Sequence, residues 1–337
     1  MITIHLSTED LTKVRLAPSP LWETVTSFGV LLQHDRHTMH APWVTHARRV
    51  LPGTDLSPLL AAMCIEFSYP DFLSPPPDAS AATFDEELEC LRATPPEVVH
   101  TEVQLLVQAQ REQFSPLSLE KTRLLETYLS NPESSLMRLV DTLRRYHDLT
   151  IAPYWPRIRE LLEGDTIKRG QVLALGGVEA LLSNLHPKAS YCGGVLELDK
   201  TCEALIEPVG RGITLVPCVF AWPRIMVLTE PGYRPTLAYG PRGVANLWSS
   251  SSSATNGTAI EAALGAGRAS VLKSLSPMPI TTTELANQLR LSPSAVSAHL
   301  LRLRAAELIE PHRSGKRVYY RLSYAGESLL GIFGELE

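Results

Sequence analysis

A chain of 337 residues can bury two hydrophobic cores, because single cores usually stop growing near about 250 to 300 residues. Its 44% hydrophobic and 20% charged content is ordinary for a soluble globular protein, and no apolar run approaches the about 18 residues that a membrane helix needs. The five cysteines lack a Cys-x-x-Cys pair and any zinc-finger spacing, and the net charge of −5 speaks against nucleic acid only while it is averaged over the whole chain.

Ile2-Thr3-Ile4-His5-Leu6 alternates and has neither a cationic start nor a long apolar stretch, which predicts a strand rather than a leader and places the chain in the cytoplasm. Between Pro20 and Leu185, Trp22, Val25, Phe28 and Leu32 recur at helical spacing, as do Leu136, Leu139, Val140 and Leu143. Prolines 42, 58, 95, 116, 132 and 153 are expected to keep these helices short. His34, His37 and His40, with His46 beyond, could meet a metal only on a helix or a folded-back segment. Pro42 and Arg36 favour a solvated loop instead, so no metal site is assigned, and a pH response is the other use of the cluster. Three consecutive prolines in Ser74 to Ser80 forbid a helix and predict a surface loop.

From Val195 to Tyr239 the pattern changes. Ile213 to Val216, Ile225 to Leu228 and Thr236 to Tyr239 predict strands of a small sheet, which the N-terminal strand can join. Gly210-Arg211-Gly212 lacks the third glycine of a dinucleotide fingerprint, and neither a G-x-S-x-G nor a phosphate-cradling loop occurs. No enzyme activity, catalytic residue or cofactor is therefore expected. Trp22, Trp43, Tyr69, Trp155 and Trp222 supply aromatic surface for a pocket that takes a small organic effector, although core packing is the plainer use of each. The alternative is a first domain that docks a protein partner through Pro75 to Pro77, or that senses metal or pH.

The polar stretch from Trp248 to Gly257 cannot bury apolar surface and divides the chain into a regulatory domain at 1–247, a Ser-rich linker at 248–257 and a domain at 258–337. The last segment carries nine Lys and Arg against seven Asp and Glu, so it is about +2 while the first 257 residues are about −7. Between Arg290 and Arg321 seven cations face only Glu307 and Glu310, a footprint suited to phosphates. Thr281 to Glu284 has capping-box spacing and opens a helix toward Arg290. After Leu291-Ser292-Pro293, the stripe Val296, Leu300, Leu303 and Leu308 predicts a second helix, so the pair forms a helix-turn-helix. Its outward face offers Ser294, Ser297, Ala298 and Arg302 to a major groove. Ile309 to Arg313 and Lys316 to Leu322 alternate around Ser314-Gly315 and predict a basic hairpin, the wing.

Thr283-Glu284-Leu285-Ala286, the run from Leu291 to Leu300 and the Gly315-Lys316 wing resemble the ArsR-type winged-helix repressors over residues 260 to 325. The resemblance implies a homodimer on double-stranded operator DNA. Ser292, Ser294, Ser297, Ala298, His299 and Arg302 would be groove or backbone contacts, and Arg313, Lys316 and Arg317 would lie on the wing. Ile260, Leu264, Val271, Leu329, Leu330, Ile332 and Phe333 would form the dimer seam, unless they serve the domain's own core. Thr283 to Gln288 holds no cysteine and the last helix no histidine, so metal sensing at the family's usual positions is not expected. The first domain, at Leu215-Val216-Pro217, Ala221-Trp222-Pro223 and Leu237 to Pro241, resembles N-terminal regions attached to such modules in actinobacterial regulators. The expected class is α+β: a mostly helical N-terminal domain with a small sheet, then a C-terminal winged helix-turn-helix. No membrane partner is expected.

Overall fold

Proline starts the helices of this chain more often than it ends them. In the computed structural model Pro42, Pro58 and Pro132 occupy the first turns of α3 (Ala41–Val50), α4 (Ser57–Ala62) and α8 (Pro132–Thr150), where the missing N–H has no intrahelical partner to lose. The helices are consequently longer than the proline spacing suggested. α8 runs 19 residues and α9 (Trp155–Ser183) runs 29, broken only at Gly177, whose φ of 71° and ψ of −175° interrupt the helix. The structure describes residues 1–34, 37–63, 69–77, 83–113, 119–200, 203–228, 233–248, 260, 261, 263–275, 279–289, 291–314 and 317–333, with backbone alone at 109–113, 119–121, 124, 245, 246, 314 and 317. The chain divides into two compact units, Met1–Pro241 and Arg242–Glu337.

The first unit joins a helical bundle to two small sheets. Its other helices are α1 (Thr8–Leu11), α2 (Pro20–Leu32), α5 (Phe84–Arg92), α6 (Pro96–Gln113) and α7 (Leu119–Ser130). The apolar positions of α8, Leu136, Leu139, Val140 and Leu143, are all fully buried, and α8 packs against α2 through α7. One sheet has the order β3 (Ala189–Cys192), β4 (Val195–Leu198), β1 (Ile2–His5), β5 (Ala204–Ile206). The other has the order β2 (Arg15–Leu16), β6 (Thr214–Pro217), β8 (Thr236–Tyr239), β7 (Ile225–Leu228). The N-terminal strand thus joins Val195–Leu198 and Ala204–Ile206 rather than the strands at 214–239. Both sheets still share one core, in which Ile2, Ile4, Leu196, Ile213, Leu215 and Leu237 are buried together.

The proline-rich stretch departs from the surface loop expected of it. Ser74 and Pro77 are buried, and the Trp22 Nε1–H donates to the Pro75 carbonyl at 2.9 Å. Prolines lack a donor but keep an acceptor, so the segment closes over α2 by receiving a hydrogen bond that the indole requires. Asp78, Ala79 and Ser80 lie outside the described residues.

The second unit comprises α10 (Ala266–Ser274), β9 (Ile280–Thr281), α11 (Thr282–Leu289), α12 (Pro293–Ala305), β10 (Ile309–Ser314), β11 (Arg317–Leu322) and α13 (Tyr324–Ile332), with strand order β10, β11, β9. Leu272, Leu285, Val296, Leu300, Leu303 and Ile309 centre its core. Ser323 caps α13 by accepting from the Gly326 N–H at 3.1 Å, and a Cβ at Gly326 would fall 2.0 Å from the Leu308 carbonyl. Only glycine allows that approach. With bundle, sheets and a hairpin-bearing second unit, the class is α+β.

Candidate nucleic-acid interface

Two capped helices set the geometry. The Thr281 hydroxyl accepts from the Glu284 N–H at 3.3 Å while the Thr281 N–H donates to the Glu284 carboxylate at 2.9 Å, which fixes the start of α11. Ser292 then accepts from the Ala295 N–H at 3.2 Å and Pro293 fills the first turn of α12. With Val296, Leu300 and Leu303 anchored in the core, the helical period turns Ser294, Ser297, Ala298 and Arg302 outward, and all four are exposed, as is Ser292. The Ser292 and Ser294 hydroxyls lie 3.0 Å apart.

His299 differs from the outward placement. It is half-buried, and a Cβ at Gly267 would approach its Nε2 to 2.6 Å, so the imidazole fills the crossing of α10 and α12. Leu301, which the apolar periodicity does not single out, is 70% exposed between Ala298 and Arg302. Its signal was a leucine one position past the inward stripe.

The hairpin of β10 and β11 aligns Glu310 with Arg321 and Arg313 with Val318. Arg321 is held by Glu310 at 2.9 Å, which spends part of its charge within the hairpin. Arg302, Arg304 and Arg313 are exposed and make no ion pair with another described residue. Gly315 and Lys316 lie outside the described residues, as does Arg290, and only the backbone of Arg317 is described. Cations on the last turn of α12 also complement its dipole, so their position suits the fold as well as a phosphate.

Of the residues expected at a dimer seam, Ile260, Val271 and Leu330 are fully buried in the unit's own core. Leu264, Leu329 and Phe333 are half-buried against that core, whereas Ile332 is 63% exposed.

In the first unit the five aromatics are not gathered around one described cavity. Trp22 and Trp43 are core residues with satisfied indoles, Trp43 donating to the Thr150 carbonyl at 2.9 Å with its ring tilted against that of Phe220 at 4.6 Å. Tyr69, Trp155 and Trp222 are half-buried. A small, half-open cleft of about 40 Å³ lies elsewhere, between α4, α7 and α8, lined by Pro58, Ala61, Tyr128 and Arg138 among others.

The histidine segment is not a solvated loop. A 3-10 turn at Thr38–His40 buries His37 and His40 and sets His40 5.0 Å from Phe220, where burial and the neighbouring His37 push its pKa down to about 3. Asp35 and Arg36 lie outside the described residues. Among the described residues no group of three His, Cys, Asp or Glu side chains could hold a metal ion.

Sequence reasoning missed a set of buried carboxylates that cap other elements. Glu23 on α2 accepts from the Val219 and Phe220 N–H groups at 2.6 and 3.2 Å. Glu87 on α5 accepts from the Leu21 N–H at 2.8 Å and the Ser19 hydroxyl at 2.9 Å. Glu102 on α6 accepts from the Phe72 N–H at 2.7 Å. Burial pushes the Glu23 and Glu87 carboxyls up to about 7 against the donors that hold them down.

Comparison with known proteins agrees with the C-terminal geometry. Residues 266–310 match the family described as bacterial regulatory protein, arsR family, and residues 104–243 match a family of unknown function, DUF5937. No curated protein and no solved structure matches the chain. An arsR-type helix-turn-helix implies DNA-binding transcription regulation, and no helix among the described residues is long and apolar enough to cross a membrane. The chain therefore carries a C-terminal arsR-family DNA-binding domain preceded by a DUF5937 domain of unknown function.

Proposed function

We propose that this chain is a homodimeric transcriptional repressor of the cytoplasm: residues 258–337 bind operator DNA and pair two copies, residues 248–257 form the linker, and residues 1–247 sense a small organic effector. The observation that carries the reading is the exposed face of α12, with Ser292, Ser294, Ser297, Ala298 and Arg302 turned away from a core that does not need them. Arg313, Lys316 and Arg317 add sequence-independent attraction to phosphate from the hairpin, while the helix face discriminates base edges. Ile332, exposed beside Leu329 and Phe333, supports a second copy as the partner of α13.

Selection of duplexes from a randomised pool by the full-length chain tests the DNA reading. Enrichment of two-fold-symmetric sequences supports a dimeric reader, and a pool that never converges contradicts it. Native mass spectrometry of the freshly purified chain tests the effector through a retained small mass. Zinc, arsenite and chelator should leave the affinity for the selected duplex unchanged; a several-fold change with stoichiometric metal would overturn the organic effector and direct attention to His34, His37 and His40.

A further inference from the structure

At about 100° per residue, Ser294, Ala298, Leu301 and Ala305 fall in one strip of α12, opposite the buried Val296, Leu300 and Leu303. All four are exposed, and Leu301 by 70%. Ser297 and Arg304 border the strip on one side and Arg302 on the other. Leu301 belongs to no described core cluster. A single exposed leucine needs no explanation in general. Here it lies at the middle of the one face that the fold turns outward between cations.

The major-groove edges of guanine, adenine and cytosine offer only polar groups, and thymine alone adds an apolar one, its C5-methyl. A leucine pressed on a polar edge would strip water from donors and acceptors without replacing their hydrogen bonds. Pressed on a methyl, it removes water from apolar surface on both sides. We propose that Leu301, with Ala298 one turn before it, reads the C5-methyl group of thymine in the major groove of the operator. This assignment rests on the DNA-binding reading above and adds base identity to it.

The test uses the full-length chain and the duplex that it selects from a randomised pool, with each thymine replaced in turn by deoxyuridine, which removes the methyl and keeps the pairing edge. Replacement of one contacted thymine in a single half-site should weaken binding about fourfold, the worth of one apolar carbon taken from water. Leu301→Ala, which removes the contact from both subunits, should bind the thymine duplex about fifteenfold weaker and respond little to deoxyuridine at that position, whereas Ser297→Ala should keep the full response. Because Leu301 is exposed, the Ala variant should keep the thermal stability of the parent, which a melt checks. Equal binding of thymine and deoxyuridine duplexes at every position, or an undiminished response in Leu301→Ala, overturns the assignment while leaving DNA binding intact. Failure to select any duplex overturns both.

Discussion

The two units treat charge in opposite ways. In Met1–Pro241 the described interior holds Asp10, Glu23, Glu87, Glu102, Asp165, Arg169 and three histidines, while in Arg242–Glu337 Ser323 is the one buried polar residue among those described. Glu23, Glu87 and Glu102 replace water at the open N-terminal ends of other elements, so each ties together segments apart in the chain. The second unit closes its helices locally with Thr281, Ser292 and Ser323 and leaves its arginines outside. An interior so wired fixes one arrangement of distant segments; an apolar core with cations outside leaves the charge free to meet a polyanion.

The largest effect that would break this contrast is loss of a trans cap. Glu23→Ala leaves the Val219 and Phe220 N–H groups buried without their acceptor and should cost about 3 to 5 kcal/mol of unfolding free energy. Denaturant titration of the full chain, followed by the tryptophan emission of Trp22, Trp43, Trp155 and Trp222, measures it. A loss below about 1 kcal/mol would mean that these contacts do not hold the first unit together.

The second effect is a dependence on pH. Folding raises the Glu23 and Glu87 carboxyls from the ordinary 4.5 to about 7, so the folded state holds protons that the unfolded chain has released. Their contribution is therefore fully present below about 4.5 and is lost as pH rises through about 7. It amounts to about 3 kcal/mol for each group. Buried His40, held near 3, contributes in the opposite sense up to its ordinary 6.5, so the test is a difference: in unfolding titrations between these limits Glu23→Gln should lack part of the parent's loss of stability toward neutral pH. Parallel profiles for parent and variant would contradict it.

In the second unit the sharpest structural test is steric. Gly326→Ala should cost about 1 to 3 kcal/mol despite alanine's better helix propensity, because the backbone carbonyl of Leu308 cannot rotate away as a side chain would. A melt of the variant measures it, and a gain in stability would show that α13 can slide. Smaller still are the hairpin contacts. Lys316→Ala and Arg317→Ala should each weaken selected and scrambled duplexes alike and lower the salt slope by about one unit. If both keep the parent's affinity, the hairpin is not the phosphate contact.

The second unit was far more legible in the sequence than the first. Capping residues stand three positions from their partners in Thr281 and Glu284, and Val296, Leu300 and Leu303 show their period directly, so helix-turn-helix and hairpin could be read from neighbours. The outward face followed from the same period, except that His299 is drawn into the crossing at Gly267, a contact set by α10. In the first unit α2 and α8 announced themselves by spacing. The caps did not, because Glu23 meets Val219 across 196 residues and Glu87 meets Leu21 across 66, and a glutamate destined for burial looks like any surface glutamate. The same distance hid which strands β1 would join.

The central claim, that duplex DNA is held by the outward face of α12 and the hairpin, is tested most directly by one titration. The full-length parent and the triple variant Arg302→Ala, Arg313→Ala, Arg317→Ala are compared on the selected and scrambled duplexes at several salt concentrations. These three arginines support no described core, so the variant should melt with the parent while losing most of its affinity for both duplexes and up to about three units of salt slope. A folded triple variant that binds both duplexes as the parent does would place the DNA contact elsewhere on the chain.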